Sequence, residues 1–119
     1  MTTFDKATVI ALEASVDYTQ GGVISKQVTK NRAGNITIFS FDKGQGLSEH
    51  TAPFDAFVQV LDGEAEIRID GVPHVLKKGD CIIMPANHPH ALKAIERFKM
   101  LLTTSWRSEE RRVGKECRS

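Results

Sequence analysis

The residues of this chain with the most varied possible chemistry are its four histidines, His50, His74, His88 and His90. A neutral imidazole is a common metal ligand, and it also titrates near neutrality, so a histidine can act as ligand, acid or base. His50 lies far from His88 and His90 in the sequence. A shared site therefore requires a fold that brings distant segments together.

The remaining reactive residues offer less. Cys81 and Cys117 are too few for a disulfide scaffold or a zinc ribbon, and we expect Cys81 to pack as a small buried hydrophobic residue. His74 is expected at the surface. The phosphate-binding pattern G-x-x-x-x-G-K-[ST], the pattern G-x-G-x-x-G and the hydrolase pattern G-x-S-x-G are all absent, which argues against nucleotide hydrolysis.

Short segments rich in β-branched and aromatic residues would have to position the histidines. After Gly21-Gly22 they follow one another as GVISKQV, NITIFSF, DAFVQVL, AEIRI, HVL and CIIM, separated by glycines and two Asp-Gly pairs. Asp70-Gly71 is the clearest hairpin turn, since residues 65–70 alternate between apolar and polar. Pro73 cannot donate to a strand ladder, so its position in the returning strand is expected to face a sheet edge or a loop. The pattern predicts an all-β sandwich or small barrel.

Two segments are ambiguous. Residues 4–18 mix helix and strand formers, so a short N-terminal helix is one interpretation. Residues 91–102 show apolar positions at helical spacing, but they also fit two strands joined by a turn at residues 95–97.

Size and charge limit the function classes. The chain has 119 residues, 40% hydrophobic and 26% charged, which fits one domain. Its formal charge of +1 provides no basic field for nucleic acid or an anionic membrane surface. No apolar run reaches the roughly 20 residues of a membrane helix, and the start lacks a signal pattern, so we expect a cytoplasmic protein.

Residues 107–119, RSEERRVGKECRS, resemble the translation of a common sequencing adapter, which indicates read-through in a metagenomic assembly. We therefore expect three parts: an N-terminal segment (1–22), a barrel domain (23–106) and a non-native tail (107–119). Without the five basic and three acidic residues of the tail, the chain carries 11 basic and 12 acidic residues. The alternative interpretation of the tail as a nucleic-acid arm then loses its support.

The chain has Gly44, His50 and Gly63 in one segment and Gly79, Pro85 and His90 in another, and their spacing resembles the two motifs of the cupin superfamily of small β-barrels. The first has glycine, His-x-His, Glu and a closing glycine at set intervals. Here those places hold Gly44, His50 with Ala52, Ala56 and Gly63. Frame and spacing match, but two of the residues that bind metal in that motif are alanines.

The second motif has glycine, Pro-x-Gly, His and Asn at set intervals. The matching residues are Gly79, Pro85 with Asn87, His90 and Ala94. Asn87 tolerates the backbone conformation of the glycine that it replaces. The runs SEHTAP at 48–53 and MPANHPHAL at 84–92 are most similar to short single-domain cupins.

The resemblance implies a small cupin barrel (a double-stranded β-helix or jelly roll) with His50 and His90 directed inward. In metal-binding cupins three histidines and a glutamate hold the ion. Two imidazoles would hold a divalent ion such as Fe, Mn, Ni or Zn only weakly, or none would bind. A third ligand could come from His88 or Asp55; the alternatives are a histidine at the rim and a solvated carboxylate.

Alternation predicts an apolar pocket wall beside His50. The residues expected to line it are Ala52, Phe54, Ala56, Val58, Val60 and Met84. The alternative for His50 and His90 is a structural role, with ring nitrogens satisfied by backbone groups or water.

Three function classes remain open: a protein that binds a small molecule or metal, such as a sensor or accessory protein; a small-molecule dioxygenase, isomerase or decarboxylase; and a structural dimer with a vestigial pocket. The missing donors argue against dioxygen activation. A homodimer is expected, because association covers exposed strand edges.

Overall fold

The computed structural model describes residues 3–105, which form a barrel of antiparallel strands. The predicted tail lies outside the described residues. The strands are β1 (Val23–Asn31), β2 (Gly34–Phe41), β3 (Gly46–His50), β4 (Ala56–Asp62), β5 (Glu64–Ile69), β6 (Val72–Lys77), β7 (Cys81–Met84), β8 (His90–Ala94) and β9 (Phe98–Ser105).

The strands form two sheets. One has the order β1-β2-β9-β4-β7 and the other β3-β8-β5-β6, with every neighbouring pair antiparallel. Apolar side chains from both sheets form a common core, as in a jelly roll. The all-β prediction is confirmed.

The predicted homodimer stays a prediction. The sheet edges that it would have to cover are strands β1, β7, β3 and β6.

The ambiguous segment 91–102 folds as two strands. β8 ends at Ala94 and β9 begins at Phe98, so the turn lies at the predicted place. Phe98 and Met100 face the core, whereas Lys99 between them points to the opposite face and donates to the Glu13 carbonyl, which is the two-residue period of a strand. Each strand pairs on both sides, β8 with β3 and β5, and β9 with β2 and β4, and these partners outweigh the helical spacing.

The Asp-Gly hairpin is also present. Asp70 and Gly71 both adopt positive φ, 54° and 79°, as a tight turn between β5 and β6 requires. Pro73 lies on β6, the edge strand of its sheet. Local turn chemistry therefore fixes this hairpin.

The N-terminal segment covers the outer face of the larger sheet. The short helix that is one interpretation of its sequence is limited to a three-residue 3-10 helix, Glu13–Ser15. The Ser40 hydroxyl on β2 donates to the Asp17 carbonyl (2.7 Å), and Ile38, on the same face of β2, is fully buried. No helix within residues 3–105 is long and apolar enough to cross a membrane.

The inner face of the larger sheet changes from filled to open along the strands. At one end Phe41 and Phe98 stack with ring centroids 4.6 Å apart. At the other end lies a row formed by Asn35, Thr104 and Ala56, which are register partners on β2, β9 and β4. The core is therefore closed around the phenylalanines and leaves space beside this row.

The prediction that Cys81 is a buried residue is wrong, because Cys81 is exposed. It begins β7, the edge strand of the larger sheet. Met84 of β7 faces the core, and Cys81 lies three residues earlier, so alternation directs it outward with Ile83.

Candidate ligand-binding site

A cavity of about 300 Å³ lies between the two sheets at the open end of the core. The four-stranded sheet contributes Leu47, His50, His90 and Leu92, and the five-stranded sheet contributes Asn35, Ala56, Met84, Met100, Leu102 and Thr104. Ala52 and Phe54 reach it from the connection between β3 and β4. The wall is mostly apolar, with polar groups at a few positions.

His50 and His90 meet in this cavity, as the motif resemblance implies. They are register partners on β3 and β8, and their rings lie edge to face with centroids 4.4 Å apart and planes at 72°. A β-bulge in β3 allows this contact. Leu47 pairs with Leu92 and His50 pairs with His90, so β3 has one more residue than β8 between the two pairs. The bulge brings His50 to the face of β3 that carries Leu47.

Backbone carbonyls orient both rings. The Nδ1 atom of His50 lies 2.8 Å from the Ser48 carbonyl oxygen, and that of His90 lies 3.2 Å from the His88 carbonyl oxygen. A carbonyl oxygen only accepts, so each Nδ1 carries the proton and donates. In the neutral rings each Nε2 therefore keeps its lone pair and can accept a hydrogen bond or bind a cation.

The two histidines differ in burial. His50 is exposed, whereas His90 is only 5% exposed. Burial lowers the pKa of His90 below its ordinary value of 6.5, the His50 ring lowers it further, and the bond to His88 acts in the opposite direction. The neutral form of His90 is therefore favoured near neutral pH.

This lowered pKa predicts a stability change with pH. The unfolded chain binds a proton at His90 more readily than the folded chain, so the free energy of unfolding should fall as pH drops below about 6.5. The loss should continue until pH reaches the lowered pKa of folded His90. Denaturant titrations between about pH 8 and pH 5 should show this component in the wild type and not in His90→Leu. Parallel pH curves for the two proteins would contradict it.

Two loops hold the cavity mouth. The Asn87 amide donates to the Ala52 carbonyl (2.7 Å), and the Ala86 amide donates to the Asp55 carboxylate (2.8 Å). Asn87 has a φ of 67°, the left-handed conformation expected for a residue in the place of a glycine. These bonds join the residues before β4 to the residues before β8.

Neither proposed third ligand joins the histidine pair. Asp55 is exposed and accepts from the Ala86 amide, while the His88 Nδ1 atom lies 2.8 Å from the Asp70 carboxylate on the hairpin turn. His74, expected at the surface, is half-buried on β6 and does not line the cavity. Within residues 3–105 no three His, Cys, Asp or Glu side chains are grouped to hold a metal.

The predicted pocket wall needs one correction. Ala52, Phe54, Ala56 and Met84 line the cavity, but Val58 and Val60 are fully buried in the closed core and do not. The prediction treated residues 50–60 as one strand face. Instead β3 and β4 belong to different sheets, and β4 runs away from the cavity into the core.

Several cavity residues are absent from the prediction. They are Asn35, Leu47, Leu92, Met100, Leu102 and Thr104. Alternation along β9 places Met100, Leu102 and Thr104 on one face, a signal available only once this segment is interpreted as a strand. Leu47 lies three residues before His50, so regular alternation would place the two side chains on opposite faces. Only the bulge between them puts both in the cavity, and the bulge has no sequence signature.

The donor set does not fit a firmly held metal. His50 and His90 supply two nitrogen donors, and the neighbouring Ala52 and Ala56 supply none. Firm transition-metal sites in proteins usually use three or four protein ligands. No chemical step through a metal follows from these residues.

The family model for the cupin domain matches residues 37–104. A conserved protein of unknown function from Streptococcus pyogenes superposes with a TM-score of 0.81 at 39% identity, covering 88% of this chain and 95% of that one. A cupin 2 conserved barrel domain protein from Leptotrichia buccalis gives 0.78 at 43% identity, covering 81% and 47%.

Two further likenesses are more limited. Protein SchB from Streptomyces halstedii is 30% identical over 79 residues, so the match covers 62% of this chain and just over half, 57%, of that protein. KdgF from Halomonas sp. has a TM-score of 0.67 at 21% identity, covers 87% of this chain and 93% of that one, and shares the fold alone. With the matched domain spanning most of the described strands, this chain belongs to the cupin domain family.

Proposed function

We propose that the protein binds a small, uncharged, mainly apolar molecule in the barrel cavity, and that His50 and His90 hold its polar group. The observation that carries this proposal is the contact of the two imidazoles, with centroids 4.4 Å apart, in an otherwise largely apolar cavity. A mostly apolar pocket with a few converging polar groups is typical of small-molecule sites.

The charge of the site supports an uncharged ligand. None of the described residues that line the cavity is Asp, Glu, Lys or Arg. Burial and the neighbouring ring favour neutral His90 by lowering its pKa. A charged ligand would lose its hydration in this cavity without an opposite charge to replace it.

The orientation of the rings supports a hydrogen-bond donor on the ligand. Both Nδ1 atoms face carbonyl oxygens, which leaves the Nε2 lone pairs for the ligand. A hydroxyl or N–H group would satisfy them. The volume of about 300 Å³ is at the small end of ligand pockets, which suits a molecule with a single ring.

A divalent transition metal is, in this proposal, at most a weakly held occupant. The two Nε2 lone pairs favour such an ion, because metal-binding histidines commonly donate their other nitrogen to a carbonyl. The presence of only two donors opposes firm binding.

Phenol and anisole test the proposal, since they differ by the hydroxyl proton that the imidazoles would accept. In calorimetric titrations with EDTA present, wild-type protein should bind phenol about three- to tenfold more tightly than anisole, the effect of one net hydrogen bond. His50→Ala with His90→Ala should remove this preference. The alanine substitutions also enlarge the cavity, which affects phenol and anisole alike. The ratio of the phenol affinity to the anisole affinity therefore reports the hydrogen bond alone.

His74→Ala is the matched control, because it removes an imidazole that does not line the cavity, and it should keep the preference for phenol. Equal affinities for phenol and anisole in the wild type would refute the role of the histidines. Binding of neither compound would refute ligand binding of this class and favour a structural module.

A further inference from the structure

Thr104 has a polar group that the fold leaves unused. The residue is 7% exposed, and its Oγ1 is the one buried side-chain nitrogen or oxygen within the described residues that has no hydrogen-bond partner. Buried hydroxyls are nearly always paired, because leaving one unpaired costs free energy. Because Thr104 lines the cavity, a ligand there can supply the partner that the chain does not, once the hydroxyl turns toward it.

The position of Thr104 relates it to the histidines. It lies on β9 in the five-stranded sheet, between its register partners Asn35 and Ala56, and all three line the cavity. His50 and His90 line the same cavity from the four-stranded sheet. The cavity thus has polar groups on both sheets, with apolar side chains completing its wall.

We infer that Thr104 is a second anchor for the ligand, which therefore carries two polar groups on one small apolar body. This inference rests on the proposed function, and it narrows the ligand class. One group donates to the imidazole Nε2 atoms, and the other, a carbonyl oxygen, accepts from the Thr104 hydroxyl. The ligand class is that of uncharged, single-ring hydroxy-carbonyl compounds.

The threonine side chain can present its hydroxyl to such a ligand. Oγ1 exposes less than 1 Å², so in this rotamer the hydroxyl is covered and does not itself border the cavity. Rotation of χ1 by one staggered step puts the hydroxyl where the methyl group or the hydrogen was. Asn35 beside it already has a side-chain contact, since its Oδ1 lies 3.5 Å from the Thr37 hydroxyl.

The test compares 4-hydroxyacetophenone, which has both groups, with 4-ethylphenol, which has the hydroxyl and nearly the same shape but no carbonyl. Thr104→Val removes the hydroxyl at similar volume. It should weaken 4-hydroxyacetophenone about three- to tenfold and change 4-ethylphenol less than about twofold. Thr104→Ser keeps the hydroxyl and should retain the preference for the carbonyl compound.

Denaturant titration without ligand checks the fold of the variants. Thr104→Val should be at least as stable as the wild type, because it removes an unpaired buried hydroxyl and valine suits a strand. Equal effects of Thr104→Val on both compounds would overturn the inference. If the histidine variants still abolish the preference for phenol over anisole, only the Thr104 inference has failed; if wild type binds none of the phenols, both proposals have failed.

Discussion

The double substitution Ala52→His and Ala56→Glu is expected to turn the cavity into a firm metal site. Both alanines line the cavity with His50 and His90, so the variant would bring four donors together. Loss of a residue that merely supports a metal ligand lowers affinity about 10–100-fold, and direct ligands matter at least as much. We therefore expect affinity for Ni²⁺ or Zn²⁺ to rise by about a hundredfold or more in calorimetric titrations.

The wild type and a third variant complete this experiment. Wild-type protein purified without added metal should contain well under one equivalent by elemental analysis, because it offers two donors. Adding His90→Ala to the double variant should remove most of the gained affinity. A wild type that retains an equivalent of metal through dialysis would contradict our interpretation of the donor set, and so would a double variant with no gain.

Gly63→Ala is expected to have the largest effect on stability. Gly63 follows β4 with a φ of 80°, and a Cβ atom there would overlap the carbonyl oxygen of Arg97. That oxygen belongs to the backbone just before β9, so relief of the clash must move a central strand. We expect a loss of more than about 4 kcal/mol in the free energy of unfolding, measured by denaturant titration.

Gly71→Ala separates the steric clash from the backbone conformation. Gly71 has nearly the same φ, 79°, but no atom lies within 4 Å of the place that a Cβ atom would take. Alanine there should cost only the left-handed conformation, about 1–2 kcal/mol. Similar losses in the two variants would show that the close approach to Arg97 is not what requires glycine.

Local patterns are sufficient to predict much of the fold. The Asp70-Gly71 turn and the alternation before it specify the β5–β6 hairpin without reference to other segments. In segment 91–102 the local pattern is not sufficient to predict the structure. Its apolar spacing suits a helix, and its conformation is decided by pairing with strands that are distant in the sequence.

The site divides in the same way. The motif spacing correctly predicts that His50 and His90 lie together, because it reflects the barrel fold of the family that the chain resembles. The direction of β4 is not local information, and the prediction therefore extended the pocket wall to Val58 and Val60. Thr104 becomes recognisable only when β9 is placed between β2 and β4.

The proposed function requires the Nε2 atoms of His50 and His90 to accept a hydrogen bond from an uncharged ligand in the barrel. Long-range ¹H–¹⁵N correlation spectra of ¹⁵N-labelled protein report the protonation of each ring nitrogen directly. Before ligand is added, both rings should carry the proton on Nδ1. Adding phenol should shift the Nε2 signals of His50 and His90 and leave those of His74 unchanged. Binding of phenol without movement of either Nε2 signal would contradict the claim.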